Sequence, residues 1–336
     1  MNIYNDYINT IKTAIASDTK SGIIGENLSF GSRNFNKAFS YKEFKNQFPE
    51  KRLLPSLADF ANQIGLQPNF EQRLGAHPDF IHLKHTGETE KHYIISMFID
   101  IKGSTNLFKR YTPETVLIVT NTIQRAAIHT CLIFGGYVHR LQGDGLFVYF
   151  GGKAINIPQA ILYSLQSASV FSYFVKNDLK NLFNEQGIEA INTRIGIDLG
   201  HAEDVVWAMA GMGEISEVTT CSLHTSLASK MQGNAVTNGI VVGDNIKTHL
   251  PILKEFTSPV SHRTNNENDR YIFRIPEENF NYTQYDFSWL NFLKKQDFIV
   301  TDLQGNINLK KKSTISIGKS TDSLHAIAIH SKPYLK

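Results

Sequence analysis

Cysteine is scarce in this chain: Cys131 and Cys221 are the two among 336 residues, with no CxxC pair. A disulfide framework and a structural zinc site are therefore not expected. An excess of one charge is also lacking, since 34 Lys and Arg face 31 Asp and Glu for a net +3. Nucleic-acid binders mass basic side chains on one face, and here they are scattered, so no nucleic-acid partner is expected. The one basic run, Lys310-Lys311-Lys312, reads as a solvated turn. No stretch approaches the roughly 18 uninterrupted apolar residues that span a bilayer. The opening MNIYNDYINTIKTAIASDTKSG has no basic start followed by an apolar run. The expectation is a cytoplasmic chain with no direct membrane insertion. The twelve histidines show no HExxH spacing, and no GxSxG or Cys/His signature is present, so neither a histidine metal centre nor a Ser or Cys nucleophile is expected. What remains, 41% hydrophobic and 19% charged, is the composition of a folded globular protein with ample core.

Three zones follow along the chain. Residues 1–90 form an N-terminal extension of short helical patterns and polar loops; 56–64 has helical spacing and Gly65 would stop it. The polar stretch His85-Thr86-Gly87-Glu88-Thr89-Glu90 reads as a linker. Residues 91–250 are the patterned zone. Tyr93-Ile94-Ile95-Ser96-Met97-Phe98-Ile99 is a buried strand by its apolar, β-branched content. Residues 113–134 carry apolar side chains near helical period, with Pro113 suited to a first turn. Residues 137–141 and 146–150 are strand-like on either side of Gln142-Gly143-Asp144-Gly145, a tight hairpin. A helix over 158–187, a strand over 191–199 and a helix over 223–232 complete the zone. Strand, helix, hairpin, helix and strand in that order predict an α+β sandwich, not a doubly wound parallel sheet. Residues 251–336 read as a polar loop over 259–270, a last strand at Tyr271-Ile272-Phe273-Arg274-Ile275, and a small appended module drawn from 282–298 and 313–330.

The chemistry concentrates in two segments. Phe98-Ile99-Asp100-Ile101-Lys102-Gly103-Ser104-Thr105 puts a carboxylate at the end of a buried strand, followed by a small-residue loop whose N–H groups suit phosphate oxygens. Gln142-Gly143-Asp144-Gly145 puts another at a hairpin tip, where glycines let a ligand approach. Two hard carboxylate ligands beside a phosphate cradle suit Mg²⁺ or Mn²⁺. Each alone is more often a helix cap or a plain turn. Their order within one strand–helix–hairpin unit is what points to a shared site.

These residues resemble the catalytic domain of class III adenylyl and guanylyl cyclases. FIDIKGST is similar to that family's first metal motif and RLQGDGLFVYF to its second, with Asp100 and Asp144 44 positions apart. Thr193-Arg194-Ile195-Gly196-Ile197-Asp198-Leu199-Gly200 resembles a later strand, and Leu227-Ala228-Ser229-Lys230-Met231-Gln232-Gly233 the late helix. The resemblance covers about half the chain. It implies a ferredoxin-like α+β sandwich with N- and C-terminal extensions, and two divalent cations, Mn²⁺ or Mg²⁺. Asp100, Asp144 and the main-chain carbonyl of Ile101 would hold the cations, Phe98 would pack on the base, and Gly103, Ser104 and Thr105 would wrap the phosphates. It also implies a homodimer with shared active sites, metals from one subunit and late-helix residues from the other.

Departures narrow the reading. The family's late-helix Asn and Arg are here Ser226 and Lys230, and Lys gives a point charge without the fork of Arg. Its base-reading positions hold Arg140 and Thr219. With the long extension before His77-Pro78-Asp79-Phe80, this looks like the bacterial Pycsar cyclases. They make cyclic UMP or cyclic CMP, which activates a separate effector in anti-phage defence. The expected substrate is then a pyrimidine nucleoside triphosphate, uridylate favoured over cytidylate. A guanidinium matches O2 of either pyrimidine, so Arg140 alone does not choose between them. Alternatives are an adenylate or guanylate cyclase with atypical base contacts, a catalytically inactive cyclase-like nucleotide-binding domain, and a palm-type nucleotidyltransferase.

Overall fold

A computed structural model describes residues 1–20 and 39–310. Lys311, Lys312 and the stretch 313–330 read as part of an appended module lie outside these residues. The strands are β1 (Thr89–Lys91), β2 (Ile94–Lys102), β3 (Tyr137–Gln142), β4 (Gly145–Phe150), β5 (Asn192–Gly200), β6 (Val206–Met212), β7 (Ile215–Cys221), β8 (Gly239–Gly243), β9 (Thr257–Pro259), β10 (Tyr271–Ile275), β11 (Phe280–Phe287), β12 (Ile299–Thr301) and β13 (Ile307–Leu309). The central sheet runs β10-β11-β8-β5-β2-β4-β3, with β9 against β11. Its pairings are antiparallel except β5 with β8. The architecture is the expected α+β sandwich.

Strand alternation divides β2 and β5 between two cores. Ile95, Met97, Ile99, Ile101, Ile195, Ile197 and Leu199 join an apolar cluster with Val119 and Ile123 of the long helix Pro113–Ile133 and with Ile161 and Leu165 of the helix Ile157–Tyr173. The N-terminal helices Asn5–Ala16 and Pro55–Ile64 add Tyr7, Ile11, Leu57 and Phe60 to the same core. The helix Pro113–Ile133 is long and apolar enough to cross a membrane, yet 67% of its most apolar window is buried inside the molecule. Ile94, Phe98, Phe147 and Tyr149 point the other way, into a cluster with Trp207, Val218 and Ala228. Because both faces are covered, β2 is apolar almost throughout instead of alternating with polar residues.

Local signals hold at several ends. Gly65 takes φ +74° after the helix Pro55–Ile64, and Pro113 and Pro158 sit in first turns. Over 157–185 the helix passes through a π-helical stretch, Phe174–Leu179, before Lys180–Glu185. Other expectations change. The supposed linker 85–90 ends in β1, which pairs with β6 through Glu90 and Trp207. The polar stretch 259–270 contains a short helix, Val260–Thr264, and a 3-10 turn, Glu267–Arg270. Between β5 and the late helix Leu223–Asn234 stands the hairpin β6–β7, which the sequence pattern does not announce. The aromatic stretch from Tyr282 begins in β11, which joins the central sheet through β8.

Candidate active site

Asp100 lies within β2, two residues before its end, on the face of Phe98 and Ser96. The β2–β4 register ends at Ile99 opposite Leu146. Continued by one residue, it sets Asp100 opposite Gly145, about 5 Å away, and Asp144 is the next residue in the turn. The hairpin needs this sequence: Gly143 has φ +61°, as the first central position of a II′ turn requires. Asp100 and Asp144 are thus brought to one end of adjacent strands.

Each carboxylate has its own holder. Arg194 of β5 pairs with Asp100 in register, donating from Nη2 at 2.7 Å and Nε at 3.2 Å to Oδ2. Its Nη1 donates to the carbonyl of Gly233 at 3.1 Å, tying the pair to the end of the late helix. The Ser104 hydroxyl donates to Asp144 Oδ2 at 2.5 Å. Gln124, on the long helix, donates to the Gly143 carbonyl at 3.1 Å. Ser104, Gln124, Gly143 and Asp144 line a cleft of about 450 Å³. Gly103, at φ +95°, turns the chain from β2 into the 3-10 stretch Ser104–Lys109, where Thr105 is exposed. Ile101 is buried at the strand end. No three His, Cys, Asp or Glu side chains gather into a metal centre among the described residues. Two carboxylates and a nearby carbonyl still fit Mg²⁺ or Mn²⁺, which keep water and substrate oxygens in their remaining positions.

The expected base readers lie at the other side of the hairpin. Arg140 of β3, half exposed, pairs with Glu217 of β7: its Nε donates to Oε2 at 2.6 Å and its Nη2 meets Oε1. Thr219, also on β7, bonds His139 Nε2 at 3.1 Å. A bulge between Val138 and Arg140 turns His139 inward, wholly buried. Burial first, then the neighbouring Arg140 charge, bring its pKa down to about 3, so the imidazole is neutral. Phe98 stacks on Phe147 at 4.2 Å, beneath these residues.

Ser226 and Lys230 stand apart on the exposed side of the late helix, whose other side buries His224, Leu227, Ala228 and Met231. The Ser226 hydroxyl donates back to the Ser222 carbonyl at 3.3 Å. Lys230 lines a separate cleft with Asn234, Arg263 and Tyr271. This helix is seated by a buried cluster. Asp198 of β5 accepts from Tyr282 Oη at 2.7 Å and pairs with His224 Nδ1 at 2.9 Å. Burial raises the Asp198 pKa; burial alone would lower that of His224, but the bond to Asp198 raises it. Arg194, Glu217, His139 and Gln124 are not singled out by sequence reasoning. Arg194 was findable, because its position in the strand opposite Asp100 shares the parity of Asp198. Glu217 had no signal without β7.

No family model matches the chain. Among curated proteins, it is 35% identical over 251 residues to a cytidylate cyclase of Staphylococcus aureus, covering 74% of this chain and 59% of that protein. A cytidylate cyclase of Escherichia coli is 32% identical over 237 residues, 68% of this chain and 50% of its own length. The chain is a homologue of the cytidylate cyclases. It spans between half and three fifths of the length of these two relatives. Among solved structures, the adenylyl cyclase CyaB from P. aeruginosa aligns with TM-score 0.48 and 18% identity, over 60% of this cyclase homologue and 95% of that chain. The guanylyl cyclase Cya2 aligns at 0.44 and 15%, over 60% and 93%.

Proposed function

We propose that this chain is a nucleotide cyclase acting on a pyrimidine nucleoside triphosphate, CTP or UTP, to give the 3′,5′-cyclic monophosphate and pyrophosphate. The observation that supports it most is the placement of Asp100 near the end of β2 and of Asp144 in the turn of the β3–β4 hairpin beside it, where Ser104 donates to Asp144. The names of the relatives support a cyclase and a pyrimidine. The sequence alone favours uridylate; the relatives' names move the proposal toward cytidylate.

In the reaction the ribose 3′-oxygen bonds to the α-phosphorus, the bond to the bridging oxygen breaks, pyrophosphate leaves, and the 3′-hydroxyl proton passes to solvent. Two cations, when bound, supply activation of the 3′-oxygen and neutralisation of phosphate charge. Asp100 and Asp144 would hold them, and the Ile101 carbonyl would add a ligand. Arg194 orients Asp100 through its two hydrogen bonds to Oδ2. Ser104 keeps Asp144 oriented. Gly103 and Thr105 shape the loop next to the phosphates. Lys230 offers positive charge to the α-phosphate, and Ser226 a hydroxyl for ribose. Positioning and charge neutralisation carry such transfers, so no covalent protein nucleophile is invoked. Arg140 and Thr219 face the base. A homodimer lets late-helix residues of one protomer complete the metal site of its partner, which matches the exposure of Ser226 and Lys230. The cyclic product would activate a separate effector in anti-phage defence.

The test is incubation of the protein with CTP, UTP, ATP and GTP, each with Mn²⁺, and chromatography of the products. One cyclic pyrimidine nucleotide should dominate. A dominant cyclic purine would replace the reading with an adenylate or guanylate cyclase. No cyclic product at all would favour an inactive nucleotide-binding domain.

A further inference from the structure

We infer that Glu217 selects cytosine over uracil, and that the chain segment just before the catalytic zone, Arg73 to Ala76, exists at this point to hold Glu217 against Arg140. The inference rests on the pyrimidine reading above and assigns its choice of base.

A cavity of about 260 Å³, room for a single ring, opens between β3 and β7. Arg140 and Glu217 line it together with Leu74, Gly75 and His139. Arg140 engages Glu217 through Nε and Nη2. A guanidinium has five N–H donors and a carboxylate about four acceptor positions, so donors and acceptors remain side by side. His139 adds no charge, being neutral, and is held by Thr219. The pair therefore offers an anionic acceptor next to a cationic donor. Cytosine presents its 4-amino donor beside the N3 acceptor, which matches both; carboxylates characteristically accept from that amino group. Uracil carries O4 in the same place, an acceptor facing an acceptor.

The placement of Glu217 depends on the preceding segment. β3 and β7 are not paired with each other. Gly75 joins them: its N–H donates to the His139 carbonyl at 3.0 Å, and its carbonyl accepts from Val218 N–H at 2.7 Å. Gln72 fixes the start of this segment, donating to the Gly136 carbonyl and accepting from Val138 N–H. Tyr137 Oη accepts from Ala76 N–H and donates to the Arg73 carbonyl. A Cβ on Gly75 would lie 2.6 Å from Glu217 Cβ, and Gly75 has φ +64°. Only glycine lets the acid come so close.

Three proteins test this: wild type, Glu217→Gln, and Gly75→Ala. Each is given equal CTP and UTP with Mn²⁺, cyclic CMP and cyclic UMP are quantified, and CTP and UTP binding are titrated calorimetrically with Ca²⁺. Wild type should prefer CTP. Glu217→Gln, whose amide presents a donor as well as an acceptor, should lose at least about tenfold of that preference, the scale of one good base contact. Gly75→Ala, which displaces Glu217 without touching its charge, should lose severalfold. A wild-type preference for UTP, or a Glu217→Gln preference within twofold of wild type, overturns the inference. For a variant too slow to assay, the ratio of CTP to UTP binding is read against the same thresholds. A wild type that binds CTP over UTP yet forms no cyclic product would sink the cyclase reading and leave the base assignment standing.

Discussion

On one face of the central sheet, Ile95, Met97, Ile99, Ile101, Ile195, Ile197 and Leu199 belong to one apolar cluster under the helices. The residues alternating with them on the other face are Ser96, Phe98, Asp100, Arg194, Gly196 and Asp198. The same two strands thus carry a dry core on one side and the paired Asp100 and Arg194 on the other. Period-two alternation makes this possible, since neighbouring side chains never share a face. Rigidity is supplied from behind: close packing of the isoleucines fixes the backbone from which Asp100 and Arg194 project.

If the faces divide in that way, substitutions on them should fail differently. Asp100→Ala or Asp144→Ala should cut cyclic nucleotide formation on the order of a thousandfold, because the cations lose half their protein carboxylates. The melting temperature should hardly move. Ile197→Ala, wholly buried on the opposite face, should instead cost about 2–5 kcal/mol of stability. Its turnover per folded molecule should persist. Denaturant titration alongside the product assay reads both, and the comparison fails if Ile197→Ala inactivates a folded protein while Asp100→Ala does not.

Buried histidines sharpen the contrast, because both faces contain them. His129, bonded to Tyr7 Oη at 2.5 Å, lies under the helices; His77 and His139 lie on the site face. Burial brings the pKa of His129 and His77 down to about 4, and that of His139 to about 3. Each binds protons more readily when unfolded. Stability from these groups is therefore complete above about pH 6.5 and is lost as pH falls through about 4 for His77 and His129 and about 3 for His139, by at most roughly 3 kcal/mol for each of the first two and roughly 5 kcal/mol for the last. Urea midpoints at pH 7 and pH 5 should show the fall. His129→Gln should reduce the slope without changing the choice between CTP and UTP. His139→Gln should reduce the slope and also alter that choice, since His139 backs Thr219 and Glu217. Equal effects of the two variants on base choice would erase the distinction between the faces.

The sequence made β2, the hairpin and the late helix legible because each combines an apolar period with a glycine or proline at its end. Asp100 and Asp144 were legible for the same reason, as polar residues at the edges of strong local patterns. What it hid was paired across distance. The hairpin β6–β7 was missed because its outer part, Met209 to Ile215, is exposed and gives no apolar alternation. With β7 unseen, Glu217 had no place beside Arg140. The polar stretch before β2 read as a linker, yet β1 pairs there with β6, and backbone hydrogen bonds leave little trace in side-chain chemistry. Asp198 lies within the strand run Thr193 to Gly200, but its partners His224 and Tyr282 are 26 and 84 residues away in sequence.

The smallest expected effect probes how the faces communicate. Gln124 belongs to the long helix on the apolar side, and its amide reaches the Gly143 carbonyl in the turn that carries Asp144. It is a positioning residue, acting through the turn and not on substrate. One such hydrogen bond is worth about 0.5–1.5 kcal/mol, so Gln124→Leu should lower kcat roughly threefold to tenfold. KM for the nucleotide should stay nearly constant, while the Mn²⁺ concentration for half-maximal rate should rise, because Asp144 wanders. Gln124→Lys, still long enough to donate to that carbonyl, should recover part of the rate. A merely structural role would lower stability in both variants and leave the Mn²⁺ dependence where it was, and that outcome would confine the helix to the dry core.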